Sequence, residues 1–416
     1  MEPRRRRNGE RVNPNQKLNR VVLAYSGGLD TSAMLLWLKE TYDCEVVCYT
    51  ADVGQEEELD GLEDKAKATG AVSAIVEDIT DEFAEDFVLP AVAANAVYEG
   101  SYLMGTSLAR PLIGRRLAEV ARDVGADAVV HGATGKGNDQ IRFELASYSV
   151  NPHIKVIAPW RYWEFEGRSD LIAYCNQKGI PTTSSAEKPF SIDRNLMHVS
   201  FEGGVLEDPW AAPPDDTYLL TTPLLDTPNE PEEVIISFEK GIPTAVNGVA
   251  MGAADLIRTL NKVGGRHGVG RVDLVENRYV GIKSRGVYET PGVSLLHTAH
   301  RAVESLSMDR EVMLMRDSLI PKYAAMIYRG YWYSPECELM RKIVTETQKP
   351  VSGEARLELY KGNATLKGRQ SPNSLYSYSF ATFEKDTVYD QREAEGFIRI
   401  NALRLRLRAL KEAGLD

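Results

Sequence analysis

Cysteine is scarce in this chain, which has only four cysteines among its 416 residues. Cys44, Cys48, Cys175 and Cys337 form no C-x-x-C pair and none of the spacings that are typical of a zinc site. This pattern argues against a disulfide-stabilised secreted fold. We expect four buried, inert thiols in a reducing cytoplasm.

Long hydrophobic runs are also missing. No segment approaches the roughly 18 consecutive apolar residues that a membrane helix needs, and the first residues offer no apolar signal segment. The hydrophobic content of 43% and the charged content of 26% are ordinary for a globular protein. We therefore expect a soluble protein of two or three domains that does not contact a membrane.

Basic residues are fewer than acidic ones: the chain has 49 Lys and Arg residues and 60 Asp and Glu residues, which gives a net charge of −11. The Arg-rich residues 1–16 are the exception, and we expect them to form a disordered basic extension. A chain this acidic lacks the electrostatic footprint of a protein that binds nucleic acid. Small-molecule substrates are therefore expected.

Two common phosphate-binding motifs are absent: G-x-x-x-x-G-K-[ST] and G-x-G-x-x-G. In their place the apolar run Val21–Leu23 leads into Ala24-Tyr25-Ser26-Gly27-Gly28-Leu29-Asp30-Thr31-Ser32. This pattern predicts a strand, a tight glycine turn and a helix whose first N–H groups face an anion. It resembles the PP-loop of ATP pyrophosphatases, which cleave ATP between the α and β phosphates. The alternative is an ordinary turn in which Asp30 or Thr31 caps the helix.

The first half of the chain alternates short β-branched strands with amphipathic helices. Strands are predicted at Val21–Ala24, Glu45–Thr50, Val72–Val76, Ala128–Val130 and Ile154–Ile157. Helices are predicted near Ser32–Glu40, Glu57–Thr69, Pro111–Val124, Asn138–Ala146 and Arg168–Gln177. The alternation predicts an α/β fold, a doubly wound parallel sheet that binds a nucleotide at the carboxyl ends of its strands. We place this PP-loop domain at residues 17–185.

The second half differs in pattern. A Pro-rich stretch, Asp208–Pro231, predicts a long ordered loop. Further strands are predicted at Glu233–Phe238, Arg271–Glu276, Arg278–Lys283 and Arg356–Tyr360, with helices near Ala253–Lys262 and His297–Tyr328. We expect a second, α+β synthetase domain at residues 186–387 and a C-terminal oligomerisation helix at residues 388–416.

A second glycine-rich motif follows the fourth predicted strand, His131-Gly132-Ala133-Thr134-Gly135-Lys136-Gly137-Asn138-Asp139. Asn138 and Arg142 are one helical turn apart, and Asp139 lies beside Asn138. An amide, a carboxylate and a guanidinium at a glycine-lined helix start suit a zwitterionic amino acid near a phosphate. A helix cap with a surface ion pair is the simpler alternative. The block Thr50–Gln55 after the second strand is a weaker signal for the nucleotide base.

Four blocks of sequence resemble the argininosuccinate synthase family. They are Ala24–Ser32, Tyr98–Pro111, His131–Arg142, and Gly264–Arg271 with Val275–Arg278 and Ser284–Pro291. The similarity extends from about Lys17 to Arg408. The resemblance implies a cytoplasmic homotetramer that ligates L-citrulline to L-aspartate with ATP and Mg²⁺, through a citrullyl-adenylate, and releases AMP and pyrophosphate in arginine biosynthesis.

The resemblance also implies a role for individual residues. ATP is assigned to Ala24, Tyr25, Ser26, Gly27, Gly28, Leu29, Asp30, Thr31, Ser32, Ala51 and Gly132. Citrulline is assigned to Tyr102, Ser107, Asn138, Arg142, Ser191, Ser200, Glu276 and Tyr288. Aspartate is assigned to Thr134, Asn138 and Asp139.

The chemistry of these side chains supports that division. Arg142 can offer a bidentate fork to the citrulline carboxylate, and Glu276 can accept its ammonium. Asp139, Arg142 and Asp30 are the candidate catalytic residues, and no residue is assigned to a resident metal ion. Asp30 either binds Mg²⁺ through water or caps the helix, and the general base stays unassigned.

Two other functions stay open from the sequence. One is another PP-loop adenylating synthetase, although a tRNA thiolase would need paired reactive cysteines and a glutamine-dependent enzyme would need a glutaminase nucleophile. The other is a nucleotide-binding sensor that does not turn over its ligand.

Overall fold

The computed structural model describes residues 17–55, 59–180, 190–384 and 388–415. The predicted extension at residues 1–16 lies outside these residues. The chain forms two compact units, whose boundary lies between Asn373 and Ser374.

The first sheet is parallel and has the strand order β3-β2-β1-β4-β5. Its strands are β1 (Arg20–Ala24), β2 (Glu45–Asp52), β3 (Ser73–Asp78), β4 (Ala128–Val130) and β5 (Lys155–Ile157). The helices of this half are α1 (Leu29–Tyr42), α2 (Leu62–Thr69), α3 (Thr80–Phe83), α4 (Leu89–Ala93), α5 (Gly105–Asp123), α6 (Asp139–Val150) and α7 (Arg168–Lys178). A single π-helical segment, Ala84–Val88, joins α3 to α4.

Alternating side chains of the central strand point to opposite faces of the sheet. Val21 and Leu23 of β1 pack in one hydrophobic cluster with Met34 and Leu38 of α1. Val22 packs in the other cluster, together with residues of α5. Both faces are therefore covered, as expected for parallel strands that consist of apolar runs. Chain order reverses between β1 and its neighbour β4, which creates a crevice at the carboxyl ends of these two strands.

The predicted α/β class and all five strands of this sheet are confirmed. Helix α5 begins at Gly105, earlier than predicted, and carries Pro111 in its interior. Helix α2 begins only at Leu62, because Gly61 takes a φ of +76° and interrupts the helical path. Residues 57 and 58 of that predicted helix lie outside the described residues. The helical stretch from α3 to α4 was not predicted.

The second half forms two antiparallel sheets, with strand orders β11-β12-β7-β6 and β10-β9-β8-β13-β14. The strands are β6 (Ser191–Arg194), β7 (Val199–Glu202), β8 (Glu232–Glu239), β9 (Ile242–Val246), β10 (Val249–Ala250), β11 (Arg271–Asn277), β12 (Lys283–Glu289), β13 (Gly353–Tyr360) and β14 (Asn363–Gln370). The helices of this half are α8 (Ala253–Arg266), α9 (Pro291–Ser307), α10 (Arg310–Tyr328) and α11 (Pro335–Thr347).

Two predictions for this half are wrong. The expected strand Arg278–Lys283 is the turn of the β11–β12 hairpin, where Arg278 N–H donates to Ile282 O at 2.8 Å. The expected long helix His297–Tyr328 is two helices, because the Asp309 side chain accepts from the N–H groups of Glu311 and Val312 and starts α10 anew.

The C-terminal unit contains α12 (Tyr378–Ala381) and α13 (Glu393–Glu412). The predicted helix is confirmed, and none of its described side chains is buried. Leu403, Leu407 and Leu410 are 55%, 66% and 41% exposed. In the described ranges no helix is both long and apolar enough to cross a bilayer.

A fully buried ion pair holds the helices of the second half together. Glu304 of α9 and Arg316 of α10 are both 0% exposed and form two bonds, of 2.6 and 2.7 Å. Gln348 and Asn95 each donate a further bond to the Glu304 carboxylate. Burial opposes ionisation of Glu304, but His300, Arg316 and Gln348 outweigh it and lower its pKa to about 2.

We expect Glu304→Ala to lower the free energy of unfolding by about 3–5 kcal/mol, because the fully buried Arg316 loses both bonds to the Glu304 carboxylate and retains one carboxylate contact, to Asp317. The double variant Glu304→Leu/Arg316→Met, which removes both charges, should lose far less. Because the folded pKa lies below the unfolded value of about 4.3, the stabilisation by Glu304 is present above pH 4.3 and lost as the pH falls toward 2. Denaturant unfolding between pH 3 and 7 measures both effects. Equal losses in the single and double variants would contradict this account.

Candidate active site

The turn between β1 and α1 is short and geometrically constrained. Gly27 has a φ of +71°, and a Cβ added to it would lie 2.3 Å from Leu62 Cδ2. The N-cap residue of α1 is Gly28, which has no side chain to accept a hydrogen bond from the first N–H groups of the helix. Neither Asp30 nor Thr31 is therefore the N-cap residue, and that alternative is wrong. The first N–H groups of α1 lack intrahelical acceptors and, with the helix dipole, form an anion-binding end.

Hydroxyl groups and a lysine surround this turn. The Ser26 and Thr31 hydroxyls lie 3.1 Å apart, and Ser32 Oγ donates to Gly27 O at 3.4 Å. Lys65 of α2 donates from Nζ to the same carbonyl at 2.5 Å. Sequence reasoning missed Lys65, because its position on α2 gives no hint of the loop it reaches. The turn thus combines main-chain donors with a cation.

Asp30 occupies the first turn of α1. Burial raises the pKa of Asp30, and the nearby Arg168 guanidinium of α7 opposes that rise. Among the residues that the structure describes, no group of three or more His, Cys, Asp and Glu side chains could hold a metal ion. A Mg²⁺ ion that arrives with ATP would take most of its ligands from phosphate oxygens and water.

Two other residues assigned to ATP lie at the same edge of the sheet. Gly132 lies two residues after the end of β4, and a Cβ added there would lie 3.4–3.5 Å from the Met34 and Thr31 side chains of α1. Ala51 lies near the end of β2, the other neighbour of β1, and is 8% exposed. The carboxyl ends of three adjacent strands therefore bring the turn, Gly132 and Ala51 to one edge.

The start of α6 carries three of the assigned polar residues. Asn138 is buried and accepts at Oδ1 from Tyr279 N–H at 2.9 Å. Asp139 accepts from Arg142 Nη1 at 2.8 Å and from Arg110 Nε at 3.0 Å. Burial opposes ionisation of Asp139, but the two guanidiniums outweigh it and hold its pKa below the usual value. Thr134 lies in the preceding loop and is exposed.

Arg110 connects the two halves of the chain and was not singled out by sequence reasoning. Besides Asp139 of α6, its guanidinium binds Asp193 of β6, at 2.5 Å. Thr106 also donates to Asp193, at 3.2 Å. Arg110 lies inside the block Tyr98–Pro111 that carries the family resemblance, whereas Asp193 had no signal in the sequence. The bridge places β6 against the start of α6.

Three residues assigned to citrulline, Tyr102, Glu276 and Tyr288, form a buried aromatic and acidic cluster, which we call the citrulline pocket. The rings of Tyr102 and Tyr288 lie 4.5 Å apart, and Tyr288 OH donates to Glu276 Oε1 at 3.5 Å. Among the described residues, Glu276 Oε2 and Ser107 Oγ are buried polar atoms without a hydrogen-bond partner. Unpaired buried polar atoms are rare, because each costs about 1–3 kcal/mol. These two atoms are therefore suited to a polar ligand.

The remaining two serines differ from each other. Ser200 of β7 is 5% exposed, pairs with Tyr288 in the sheet and donates to Asp193 O at 3.4 Å. Ser191 begins β6 with an exposed side chain, opposite Glu202. The geometry thus joins Ser200 to the pocket and leaves Ser191 at its outer end.

Comparisons with known proteins agree along most of the chain. A family model described as "Arginosuccinate synthase N-terminal HUP domain" matches residues 20–181, and one described as "Arginosuccinate synthase C-terminal domain" matches residues 190–408. The chain is 57% identical to argininosuccinate synthase of Desulfatibacillum aliphaticivorans over 393 residues, which are 94% of this chain and 98% of that protein. It is also 57% identical to argininosuccinate synthase of Syntrophus aciditrophicus over 397 residues, 95% of this chain and 99% of that protein.

Solved structures show only a weak likeness. The U34-tRNA thiolase NcsA of Methanococcus maripaludis is 13% identical, with a TM-score of 0.27 over 42% of this chain and 61% of that chain. A predicted subunit of tRNA methyltransferase from Methanocaldococcus jannaschii is 17% identical, with a TM-score of 0.29 over 38% of this chain and 75% of that chain. Neither likeness bears on the function.

We expect Gly27→Ala to weaken binding at the turn, because the added methyl group collides with Leu62 and the backbone must leave φ +71°. Gly179→Ala is the matched control, since Gly179 has a φ of +67° and, within the part of the chain that the structure describes, no heavy atom lies within 4 Å of an added Cβ. Both variants pay the backbone cost of about 1–2 kcal/mol. Calorimetric titration with Mg-pyrophosphate should show a loss only in Gly27→Ala, and equal affinities in the two variants would contradict the assignment.

Proposed function

The chain belongs to the argininosuccinate synthase family, the ATP-dependent ligases of citrulline and aspartate, and we propose how its active site divides this work. The observation that carries the proposal is the arrangement of the sheet edge. A helix start that offers free N–H groups follows β1, and the start of α6, which follows β4, brings Arg142 close to the buried Glu276 carboxylate. Residues 17–185 would form the nucleotide-binding domain, residues 186–387 the synthetase domain and residues 388–416 the oligomerisation helix.

ATP is proposed to bind along the carboxyl ends of β1, β2 and β4. The N–H groups of Gly27 through Thr31 and the Lys65 ammonium would hold the pyrophosphate, and Ala51 and Gly132 would border the nucleoside. A Mg²⁺ ion bound to the phosphates would neutralise charge on the leaving pyrophosphate. The partly buried carboxyl of Asp30 lies in the same turn and can reach such an ion through water.

Citrulline is proposed to bind in the pocket of Tyr102, Glu276 and Tyr288. Its carboxylate needs a cation, and three bonds to Asp139 and Tyr328 O leave two of the five N–H groups of Arg142 for it. Its ammonium needs an acid, and Glu276 has one oxygen without a partner among the described residues. The ureido group is neutral, which matches the unpaired Ser107 hydroxyl.

The reaction is proposed to take two steps, an in-line displacement at phosphorus followed by addition and elimination at the ureido carbon. The ureido oxygen attacks the α-phosphorus of ATP, the bond from that phosphorus to the bridging oxygen breaks, and pyrophosphate leaves. The aspartate amine then attacks the activated ureido carbon, and AMP leaves with the former ureido oxygen. Alignment of three substrates supplies much of the acceleration, which can reach about 7–11 kcal/mol.

Asp139 is proposed to orient the aspartate amine rather than to remove its proton. Two guanidiniums hold the pKa of Asp139 low, so that its carboxylate is a good hydrogen-bond acceptor but a weak base. The phosphate of the departing AMP becomes a dianion whose pKa is about 6. It is the better-matched acceptor for the proton.

We expect Asp139→Asn to slow condensation with aspartate by about ten- to a hundredfold, through the loss of a charged acceptor. Citrulline-dependent exchange between ATP and pyrophosphate should remain. Asp193→Asn is the matched control, because it removes the other carboxylate from Arg110 without touching a residue assigned to aspartate. If exchange and condensation fall together in Asp139→Asn, the assignment to aspartate is wrong.

The protein is also proposed to be a cytoplasmic homo-oligomer, with a tetramer as the family implies. All four cysteines are free and buried, which suits a reducing compartment. The apolar side chains of α13 are exposed, which is unusual for a helix with Phe397, Ile398, Ile400 and the three leucines Leu403, Leu407 and Leu410. A second copy of the chain is the proposed cover of this helix.

We expect Leu403→Asp/Leu407→Asp to shift the protein to a smaller species, because charges on the apolar face of α13 would oppose its burial. Arg404→Ala, on the same helix, is the control and should leave the assembly unchanged. Sedimentation velocity measures the outcome, and an unchanged assembly in the Asp variant would contradict the role given to α13.

A further inference from the structure

Tyr328, the last residue of α10, lies inside the pocket although nothing in the sequence pointed to it. Its side chain is 1% exposed. The ring stacks on Tyr98 with centroids 3.7 Å apart and meets Tyr102 edge-on at 6.2 Å. Two aromatic partners in different orientations hold the ring in place.

The main-chain carbonyl of Tyr328 orients Arg142. It accepts from Arg142 Nε at 3.0 Å and from Nη2 at 2.7 Å. The end of a helix leaves such carbonyls without intrahelical donors. The Arg142 guanidinium also lies 5.1 Å from the centre of the Tyr328 ring. The direction in which Arg142 presents its remaining N–H groups is thus set from α10.

The glycine that follows α10 allows this close approach. Gly330 has a φ of +87°, and a Cβ added to it would lie 2.9 Å from Arg142 Cα. A side chain at this position would push α10 away from α6. The close contact between α10 and α6 therefore depends on glycine at position 330.

The hydroxyl of Tyr328 is buried and makes no hydrogen bond of ordinary geometry among the described residues. It lies close to the carboxylate of Glu276, whose Oε2 is the other buried atom without a partner. Geometry supports this proximity, because Tyr328 contacts Tyr102, Tyr102 contacts Tyr288, and Tyr288 OH donates to Glu276. An ammonium group bound at Glu276 would supply the remaining donor.

We propose that Tyr328 is a positioning residue that aligns Arg142 and Glu276, the two charged residues proposed to bind the amino-acid head group of citrulline. Its carbonyl orients Arg142 for the substrate carboxylate, and its hydroxyl donates to Glu276, which receives the substrate ammonium. The ligand class is an α-amino acid head group, that of the ureido substrate. This inference rests on the roles proposed above for Arg142 and Glu276.

The charges around Glu276 predict a change in pH dependence. Burial raises the pKa of Glu276, and the Tyr328 hydroxyl, Arg142 and Arg278 oppose that rise. Glu99 and Glu202 repel its charge. The other phenols that face Glu276 are neutral; they are Tyr98, Tyr102 and Tyr288. Removal of the Tyr328 hydroxyl should therefore raise the pKa of Glu276 further.

The test is Tyr328→Phe, which keeps the ring and the carbonyl. We expect KM for citrulline to rise about ten- to a hundredfold, because the variant loses a hydrogen bond to a charged group. The kcat and the KM for ATP should change less than about twofold. The acid limb of kcat/KM for citrulline should move to higher pH, because Glu276 must be ionised to bind the ammonium. An unchanged acid limb, or a loss in kcat alone, would overturn the proposal.

Tyr323→Phe is the matched control. Tyr323 lies on the same helix, is 1% exposed and also has a hydroxyl without a hydrogen-bond partner among the described residues. We expect its kinetics and pH profile to match those of the unaltered protein. A shift of the acid limb in both variants would show a general effect of α10 and would overturn the specific role of Tyr328.

A double-mutant cycle with Glu276→Gln separates this inference from the proposed function. The effects of Tyr328→Phe and Glu276→Gln on citrulline binding should be non-additive, because they remove two ends of one interaction. Additive effects would overturn the inference alone. Absence of citrulline-dependent ATP–pyrophosphate exchange in the unaltered protein would overturn the proposed function instead.

Discussion

The start of α1 is the constraint on which the rest of the site depends. Main-chain N–H groups of a helix start can hold an anion only if the chain in front of them turns sharply, and Gly27 at φ +71° makes that turn. Parallel strands then bring Gly132 and Ala51 to the same edge. In the proposed arrangement this one turn sets the position of the phosphates, and the phosphates set the positions of the other substrates.

The second constraint is the burial of opposite charges without full neutralisation. Arg110 and Arg142 converge on Asp139, and Arg110 continues to Asp193 in the other half of the chain. Glu276 is held apart from this group, with one oxygen unpaired among the described residues. A buried carboxylate and a partly engaged guanidinium suit a zwitterion, whereas a neutral ureido group needs only hydroxyls.

Local sequence patterns predicted the parallel sheet well, because its strands are apolar runs and its turns are marked by glycine. The same reasoning missed β6 and β7, since a four-residue strand such as Ser191–Arg194 has little periodicity. Asp139 and Arg142 were found as neighbours on one helix. Tyr328 and Asp193 were not, because their partners are 186 and 83 residues away. Contacts at that separation arise from tertiary packing and leave no local pattern.

The central claim is that the ureido oxygen attacks the α-phosphorus beside the helix start. The most direct measurement uses citrulline labelled with ¹⁸O in its ureido group, with ATP and aspartate, and locates the label by mass spectrometry. This account predicts that one ¹⁸O per turnover appears in the phosphate of AMP and none in pyrophosphate. Unlabelled AMP, or formation of ADP in place of AMP, would contradict it.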